Sequence, residues 1–364
     1  RLTDHVREGD VVCRWGGDEF IILFPSMSKQ TVISHKAEEI LNAVREPCHY
    51  DQRNLDIQTS IGIAIGAHGN IAPAELVQQA DMALYEAKGE GKNTFCYFMP
   101  EMQEKENKKF YYEAELRSVL EKEQFFIAYQ PKVNCQNNGI QSMEALLRWN
   151  HPDEGLISPE IFIPILEESS LITEVSQWVL EQVCHQIAQW KAQKLCHFYI
   201  AVNLSGRDFL LNNIDQKIKA LLQKYNIESS YLELEITETV LANNTEECII
   251  TMHKIKALGV KLAVDDFGIG YSSMSYLKQF PIDTLKIDKD FIKHCATRKE
   301  DAAICTAIIA LGKSLGLHIV AEGVETESQL MFLKKMKCNM YQGYLYSHPL
   351  PADEIQQLLI ECIV

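Results

Sequence analysis

Positive charge is scarce in this chain. Lys and Arg number 35 against 50 Asp and Glu, a formal net charge of −15 over 364 residues. That balance excludes a surface built to coat DNA or RNA, because polymer binding relies on basic patches. It leaves room for a small nucleotide held through cations. Patterned cysteine is also missing. The 11 cysteines include no Cys-x-x-Cys pair and no metal-ligand spacing, so they read as reduced, buried thiols of a cytoplasmic protein. There is no signal peptide and no bilayer-spanning run. The uncharged stretch from Ile57 to Ala74 is broken by Gly62, Gly66, Gly69 and Pro73, so no membrane contact is expected. The chain starts at Arg1 inside an amphipathic pattern, and the expectation is a fragment whose upstream sensor or anchor lies outside the sequence.

What the chain does have is carboxylates at the ends of short apolar strands. Eight candidate strands begin near Phe126, Ser142, Phe198, Tyr231, Val260, Asp283, Leu317 and Met340, with helical patterns such as Ile172 to Lys191 and Ala302 to Leu315 between them. Glu144, Asn203, Glu235, Asp265, Asp266, Lys286 and Glu322 sit on or just after these strands. Alternation of this kind predicts an α/β protein with a (β/α)8-type barrel, in which strand ends meet at one mouth. The turn at Asn137-Asn138-Gly139 joins the first two strands as a hairpin, which predicts that the first strand runs antiparallel. Clustered carboxylates with one cation, Lys286, repel each other. Divalent ions are the simplest neutraliser, and a phosphate-containing substrate is the natural partner of such ions. On the residues alone, a metal-dependent barrel enzyme for another anionic substrate remains open.

Residues 1–98 read as a separate α/β unit: a hairpin from Asp10 to Phe24 turning at Gly16-Gly17, a helix from Lys29 to Arg45, a strand from Asp56 to Ile65, a helix from Pro73 through Ala87, and a strand from Thr94 to Phe98. Residues 99–122 are a charged, helical linker, and residues 123–364 are the barrel.

Two motifs carry a family resemblance over nearly the whole chain. Arg14-Trp15-Gly16-Gly17-Asp18-Glu19-Phe20 resembles the signature of GGDEF domains, the diguanylate cyclase family. Glu144-Ala145-Leu146-Leu147-Arg148-Trp149 resembles the signature of EAL domains, the cyclic di-GMP phosphodiesterase family. The first resemblance is partial. It implies phosphate contact by Gly16 and Gly17 and a metal role for Asp18 beside Glu19, yet the family's first half has no counterpart ahead of Arg1. The unit is therefore expected to be regulatory. Arg7 and Asp10 resemble a product-inhibition site that grips cyclic di-GMP by forked hydrogen bonds.

The second resemblance is complete. It implies that Glu144, Asn203, Glu235 and Asp265 hold one metal ion, and that Asp265, Asp266 and Glu322 hold a second. Mg²⁺ or Mn²⁺ suits oxygen ligands of this type. Lys286 and Glu322 are implied as catalytic groups, Lys286 through the nucleophilic water. Gln130, Arg148 and Gln342 are implied as substrate contacts, and Glu238 and Glu325 as supports of the loop after Asp266. The implied partners are cyclic di-GMP as substrate and a second copy of the barrel. Ile269 departs from the small or hydroxylated residue usual in that loop, and a β-branched side chain between Gly268 and Gly270 is expected to stiffen it. A non-hydrolysing cyclic di-GMP receptor and a bifunctional cyclase–phosphodiesterase are the alternatives.

Overall fold

The computed structural model describes every residue except 26, 28, 51, 52, 67–70, 90, 196, 211, 212, 244, 269–276 and 364. It divides into two compact units, Arg1–Tyr111 and Tyr112–Val364.

Among its described residues, the first unit holds three two-stranded sheets. Strands β1 (Val11–Gly16) and β2 (Glu19–Leu23) form the antiparallel hairpin, with a register slip between Arg14 and Gly16. Strands β3 (Cys48–Tyr50) and β4 (Arg53–Leu55) form a second hairpin. The long strand expected at Asp56–Ile65 is shorter: only β5 (Ile61–Ile63) pairs, parallel to β6 (Phe95–Tyr97). Alternation continues before Ile61, but β6 offers only three ladder partners. The helix Pro73–Gly89 packs against this pair, and Gly62 is what lets it approach. A Cβ at Gly62 would lie 1.9 Å from the Ala80 carbonyl oxygen.

The helix Pro100–Leu116 spans both the charged stretch and the start of the second unit. Beyond it lies a closed eight-stranded barrel. Its strands are β7 (Phe125–Asn134), β8 (Ile140–His151), β10 (Tyr199–Asn203), β11 (Leu232–Thr237), β12 (Lys261–Phe267), β13 (Thr284–Ile287), β14 (His318–Ala321) and β15 (Met340–Tyr341). Neighbours from β8 through β15 are parallel, whereas β7 is antiparallel to both β8 and β15 and closes the barrel between them. The expected reversal of the first strand is thus present. Two short strands were not legible in the sequence: β9 (Gly155–Ile157), which pairs with the end of β8, and β16 (Leu350–Pro351), which pairs with β7.

Apolar runs such as Ile200-Ala201-Val202 and Leu262-Ala263-Val264 are buried throughout, as strands covered by helices on the outside and by side chains on the inside must be. Each fully buried aliphatic side chain contributes about 1.5–3 kcal/mol. Trp149, near the end of β8, is fully buried and meets Tyr112, Phe125 and Phe162 at ring-centroid distances of 5.5, 6.2 and 5.7 Å. Edge-on contacts of this kind add about 0.5–1.5 kcal/mol each. Among the described residues, no helix is long and apolar enough to cross a membrane.

Candidate acidic site at the barrel mouth

Side chains alternate along a strand, so inward residues recur every second position. On β11 the inward set includes Glu233 and Glu235, on β13 Thr284 and Lys286, on β7 Gln130 and Lys132. All are buried. Lys286 is the hub. Its Nζ lies 2.6 Å from Glu235 Oε2, 2.7 Å from Glu322 Oε1, 3.0 Å from Asp265 Oδ1 and 3.3 Å from Glu144 Oε2.

Around this ammonium the carboxylates form two groups of oxygens, each lying within 4.8 Å of one another: Glu144, Glu235 and Asp265, and Asp265, Asp266 and Glu322. Asp265 belongs to both. Successive residues of a strand should face opposite ways. Asp266 escapes that rule because its φ is +53°, at a point where the pairing of β12 with β13 shifts register. Its amide donates to Asp265 Oδ1 at 2.9 Å. Aspartate tolerates this left-handed conformation better than most side chains.

The neighbours orient the cluster. Asn203 Nδ2 donates to Glu144 Oε1 at 2.6 Å, and Gln342 Nε2 donates both to Glu144 Oε2 and to Gln130 Oε1 at 2.8 Å. Gln130 in turn donates to the Ser347 carbonyl at 3.0 Å. Gln342 Oε1 is buried with no hydrogen-bond partner among the described residues. Arg148 is partly buried, donates to the Leu147 carbonyl at 2.9 Å, and lies within electrostatic reach of Tyr344 and Glu144. Glu238 Oε2 accepts from the Gly268 amide at 2.8 Å, two residues past Asp266. Gly268 has φ +109°, and a Cβ there would lie 2.7 Å from the Phe291 ring. Glu325 is exposed; its backbone amide donates to Gln329 Oε1 at 2.8 Å, within the capping box that starts the helix Glu327–Lys335 at Thr326. That cap fixes the loop after Glu322. Ile269 lies outside the described residues.

Crowding shows in the protonation preferences. Burial opposes the charge on Lys286, yet Asp265, Glu144, Glu235 and Glu322 hold its ammonium well above the ordinary range. Burial would raise Glu144, but Lys286, Lys132 and hydrogen bonds from Gln342 and Asn203 bring it down to about 2. Burial pushes Glu322 well above the usual carboxylate range; Lys286 opposes this, while Asp265, Glu144 and Glu235 add to it. Burial, with Asp265 and Asp288 alongside, pushes Asp266 up to about 6. The donors are all oxygen, they converge, and negative charge is in excess. This set fits a hard divalent cation.

Several members were not legible in the sequence. Lys132 and Glu233 lie fully buried beneath Glu235, and Asp288 stands beside Asp266. Lys132 carried one signal, its place two residues after Gln130 on the same strand face.

In the first unit, Arg7 and Asp10 meet each other. The Arg7 amide donates to Asp10 Oδ2 at 3.0 Å, its Nε lies 3.5 Å from Asp10 Oδ1, and the guanidinium stays largely exposed. Gly17 and Asp18 form the exposed turn between β1 and β2, whose end residues Gly16 and Glu19 pair across it, and Arg14 holds the turn, its Nε and Nη2 donating to the Gly17 carbonyl at 3.0 and 2.7 Å.

Comparison with known proteins accounts for both units. Residues 113–349 match the family model described as the EAL domain, well over half of the chain. The chain belongs to the EAL family. Ahead of the EAL domain, residues 1–94 match the model described as the diguanylate cyclase GGDEF domain, so this is a GGDEF–EAL protein. It is 38% identical over 355 residues to the bifunctional diguanylate cyclase/cyclic di-GMP phosphodiesterase MucR of Pseudomonas aeruginosa, covering 98% of this chain and 52% of that protein. It is 37% identical over 343 residues to the cyclic di-GMP phosphodiesterase PdeR of Escherichia coli, covering 94% and 51%. The chain thus spans about half the length of these curated relatives. Among solved structures, the PaMucR phosphodiesterase in complex with c-di-GMP is 42% identical, with a TM-score of 0.65, covering 66% of this chain and 98% of that one. An EAL domain protein from Listeria monocytogenes EGD-e is 31% identical at a TM-score of 0.61, covering 69% and 98%.

Proposed function

We propose that the EAL barrel hydrolyses cyclic di-GMP to linear pGpG with two Mg²⁺ or Mn²⁺ ions, and that the GGDEF unit is regulatory. The observation that carries this is the ring of Glu144, Glu235, Asp265, Asp266 and Glu322 around Lys286, in a barrel similar to one solved with c-di-GMP. Glu144, Asn203, Glu235 and Asp265 would hold one ion, and Asp265, Asp266 and Glu322 the other. Such ions supply Lewis-acid polarisation of the phosphodiester and a more acidic water.

The remaining steps fall to the chain's own groups. Lys286, fixed among four carboxylates, places a positive charge where negative charge builds up on the phosphoryl oxygens during attack. Water adds to phosphorus, the ribose 3′ oxygen leaves and takes up a proton, and the ring opens to a linear dinucleotide with a 5′ phosphate. Glu322, 2.7 Å from the Lys286 ammonium, is the carboxylate placed to pass a proton beside it. Arg148 offers a guanidinium to a phosphate or guanine edge. Gln130 and Gln342, bonded to each other, with Gln342 also bonded to Glu144, line the substrate side. Glu238, through Gly268, and Glu325, through Gln329, steady the loops that carry Asp266 and Glu322. The barrel pairs with a second copy, the protein works in the cytoplasm, and the exposed Arg7 fork together with Asp10 forms a regulatory cyclic di-GMP site.

The deciding experiment is nucleotide chromatography of cyclic di-GMP incubated with the purified chain and Mg²⁺ or Mn²⁺, beside a binding assay on the same samples. Conversion to pGpG is the expected result. Binding without cleavage in either metal would replace the enzyme with a receptor.

A further inference from the structure

Among the described residues, two lysines lie wholly inside the barrel. Lys286 serves the rim. Lys132 lies deeper, on the inward face of β7 two residues beyond Gln130, and the reaction proposed above makes no use of it. Its ammonium bonds Glu235 Oε1 and stands 3.7 Å from Glu233 Oε1. Glu233 Oε2 accepts from Thr284 Oγ1 at 2.8 Å. Glu235 therefore has an ammonium on each oxygen: Lys132 beneath it on Oε1, and Lys286 at the rim, 2.6 Å from Oε2.

An ammonium inside a barrel is not needed for packing. Aliphatic side chains fill such interiors, and a buried ion carries a large desolvation cost that its partners must offset. What Lys132 adds is direction. A carboxylate free to turn can present either oxygen, or both, to a cation. With Oε1 tied to the floor, the oxygen left for the rim is Oε2, which shares the Lys286 ammonium with Glu144 and Asp265.

We infer that Lys132 is a positioning residue that fixes the Glu235 carboxylate from beneath, so that a single oxygen is presented to the divalent ion. The inference rests on the metal reading of the site, and it is independent of substrate and of turnover. It also makes a prediction of unusual sign. By Coulomb's law, removing a cation near a cation site should tighten metal binding. Loss of a positioning partner should weaken it, by about 10–100-fold for groups that orient metal ligands.

The test is Mn²⁺ binding by the purified full chain without nucleotide, followed by electron paramagnetic resonance of the free ion and by calorimetry. Lys132→Met alone leaves Glu233 buried without its lysine neighbour, so the comparison is Lys132→Met/Glu233→Gln against Glu233→Gln, with melting temperatures recorded for both. The double variant should bind Mn²⁺ about 10–100-fold more weakly than the single one. Its half-activating Mn²⁺ concentration should rise by the same factor, while kcat at saturating Mn²⁺ changes little. Lys132→Gln, which keeps an N–H donor for Glu235, should shift binding less than Lys132→Met does in the same Glu233→Gln background. Equal or tighter binding by the double variant would overturn the inference, as would a Gln variant no better than Met. If the unmodified chain binds no Mn²⁺, the metal reading falls and takes this inference with it. If all variants bind Mn²⁺ alike, this inference falls alone.

Discussion

Asp265 and Asp266 are consecutive residues of one strand, and both carboxylates reach the same acidic cluster because Asp266 sits at φ +53°. The local backbone thus decides how many ligands one strand end can supply. Asp266→Asn keeps a side chain that tolerates the left-handed region and removes a negative oxygen. It should melt within a few degrees of the parent while losing at least about tenfold in Mn²⁺ affinity. Asp266→Val should lose the same affinity and also destabilise the barrel, because a β-branched residue is poorly accommodated there. Thermal melts paired with metal titrations check both.

Metal binding should release protons, and more of them in acid. Asp266 is raised to about 6 and Glu322 is raised further, so both carry protons at low pH that an ion must displace. Both folded values lie above those of an unfolded carboxylate. Their contribution to stability is therefore present at low pH and is lost as pH rises through the folded values, about 6 for Asp266. The stabilisation conferred by Mn²⁺ should accordingly grow from pH 5.5 to pH 8. Calorimetry in buffers of different ionisation enthalpy, with melts at each pH, measures both effects. A pH-independent metal affinity across that interval would contradict the assignment of these two groups.

Lys286→Met should lower kcat by about 10²–10³, the effect of removing one preorganised group that stabilises transition-state charge, with a smaller change in KM. Mn²⁺ binding should persist, since the carboxylates remain and a cation has gone. Initial rates and metal titration on the same preparation separate the two roles.

Ca²⁺ should bind the same oxygens and suppress turnover. Its ligands sit at about 2.3–2.6 Å in loose geometry, against about 2.0–2.1 Å and octahedral for Mg²⁺, so the water and phosphoryl groups are held out of line. Excess Mn²⁺ should restore the rate. Inhibition by Ca²⁺ that Mn²⁺ cannot reverse would place the Ca²⁺ elsewhere on the chain.

Glu238→Ala should disturb the loop after Asp266 without removing a cluster oxygen. Glu238 Oε2 holds the Gly268 amide at 2.8 Å, and that amide loses its partner in the variant. A hydrogen bond of this kind contributes about 0.5–1.5 kcal/mol net. Turnover should fall, while Glu238→Gln, which keeps an acceptor oxygen, should recover most of it. Parallel kinetics on the two variants test this.

The acidic ring was legible in the sequence for a simple reason. Glu235, Asp265 and Glu322 each end or follow an apolar strand, and in a parallel barrel every such end arrives at the same mouth. The reversal of β7 was legible in Asn137-Asn138-Gly139, because a tight turn can join only antiparallel neighbours. Lys132 was not. A lone lysine before Val133-Asn134 looks like a solvated strand residue until closure of the barrel turns its face inward. The backbone twist at Asp266 leaves no trace in residue type, and the Asp56–Ile65 pattern overstated a strand whose pairing stops at Ile61 for want of a partner. Sequence reports which faces are apolar; it does not report how far a ladder runs.

The direction of β7 also decides from which side the polypeptide enters the barrel. Phe125, the first residue of β7, pairs with Trp149 near the far end of β8, and the Gln124 carbonyl takes the Asn150 amide there at 2.9 Å. Incoming chain therefore arrives at the chemical end, and Tyr112, from the last turn or so of the preceding helix, is wedged against Trp149 at that same end. A barrel with all eight strands parallel would take its lead-in at the opposite floor, a full strand length from any ligand. Here the splice point and the workplace share one address: a tug on the incoming helix has five residues to travel along β7 from Phe125 before it reaches Gln130, and seven before it reaches Lys132.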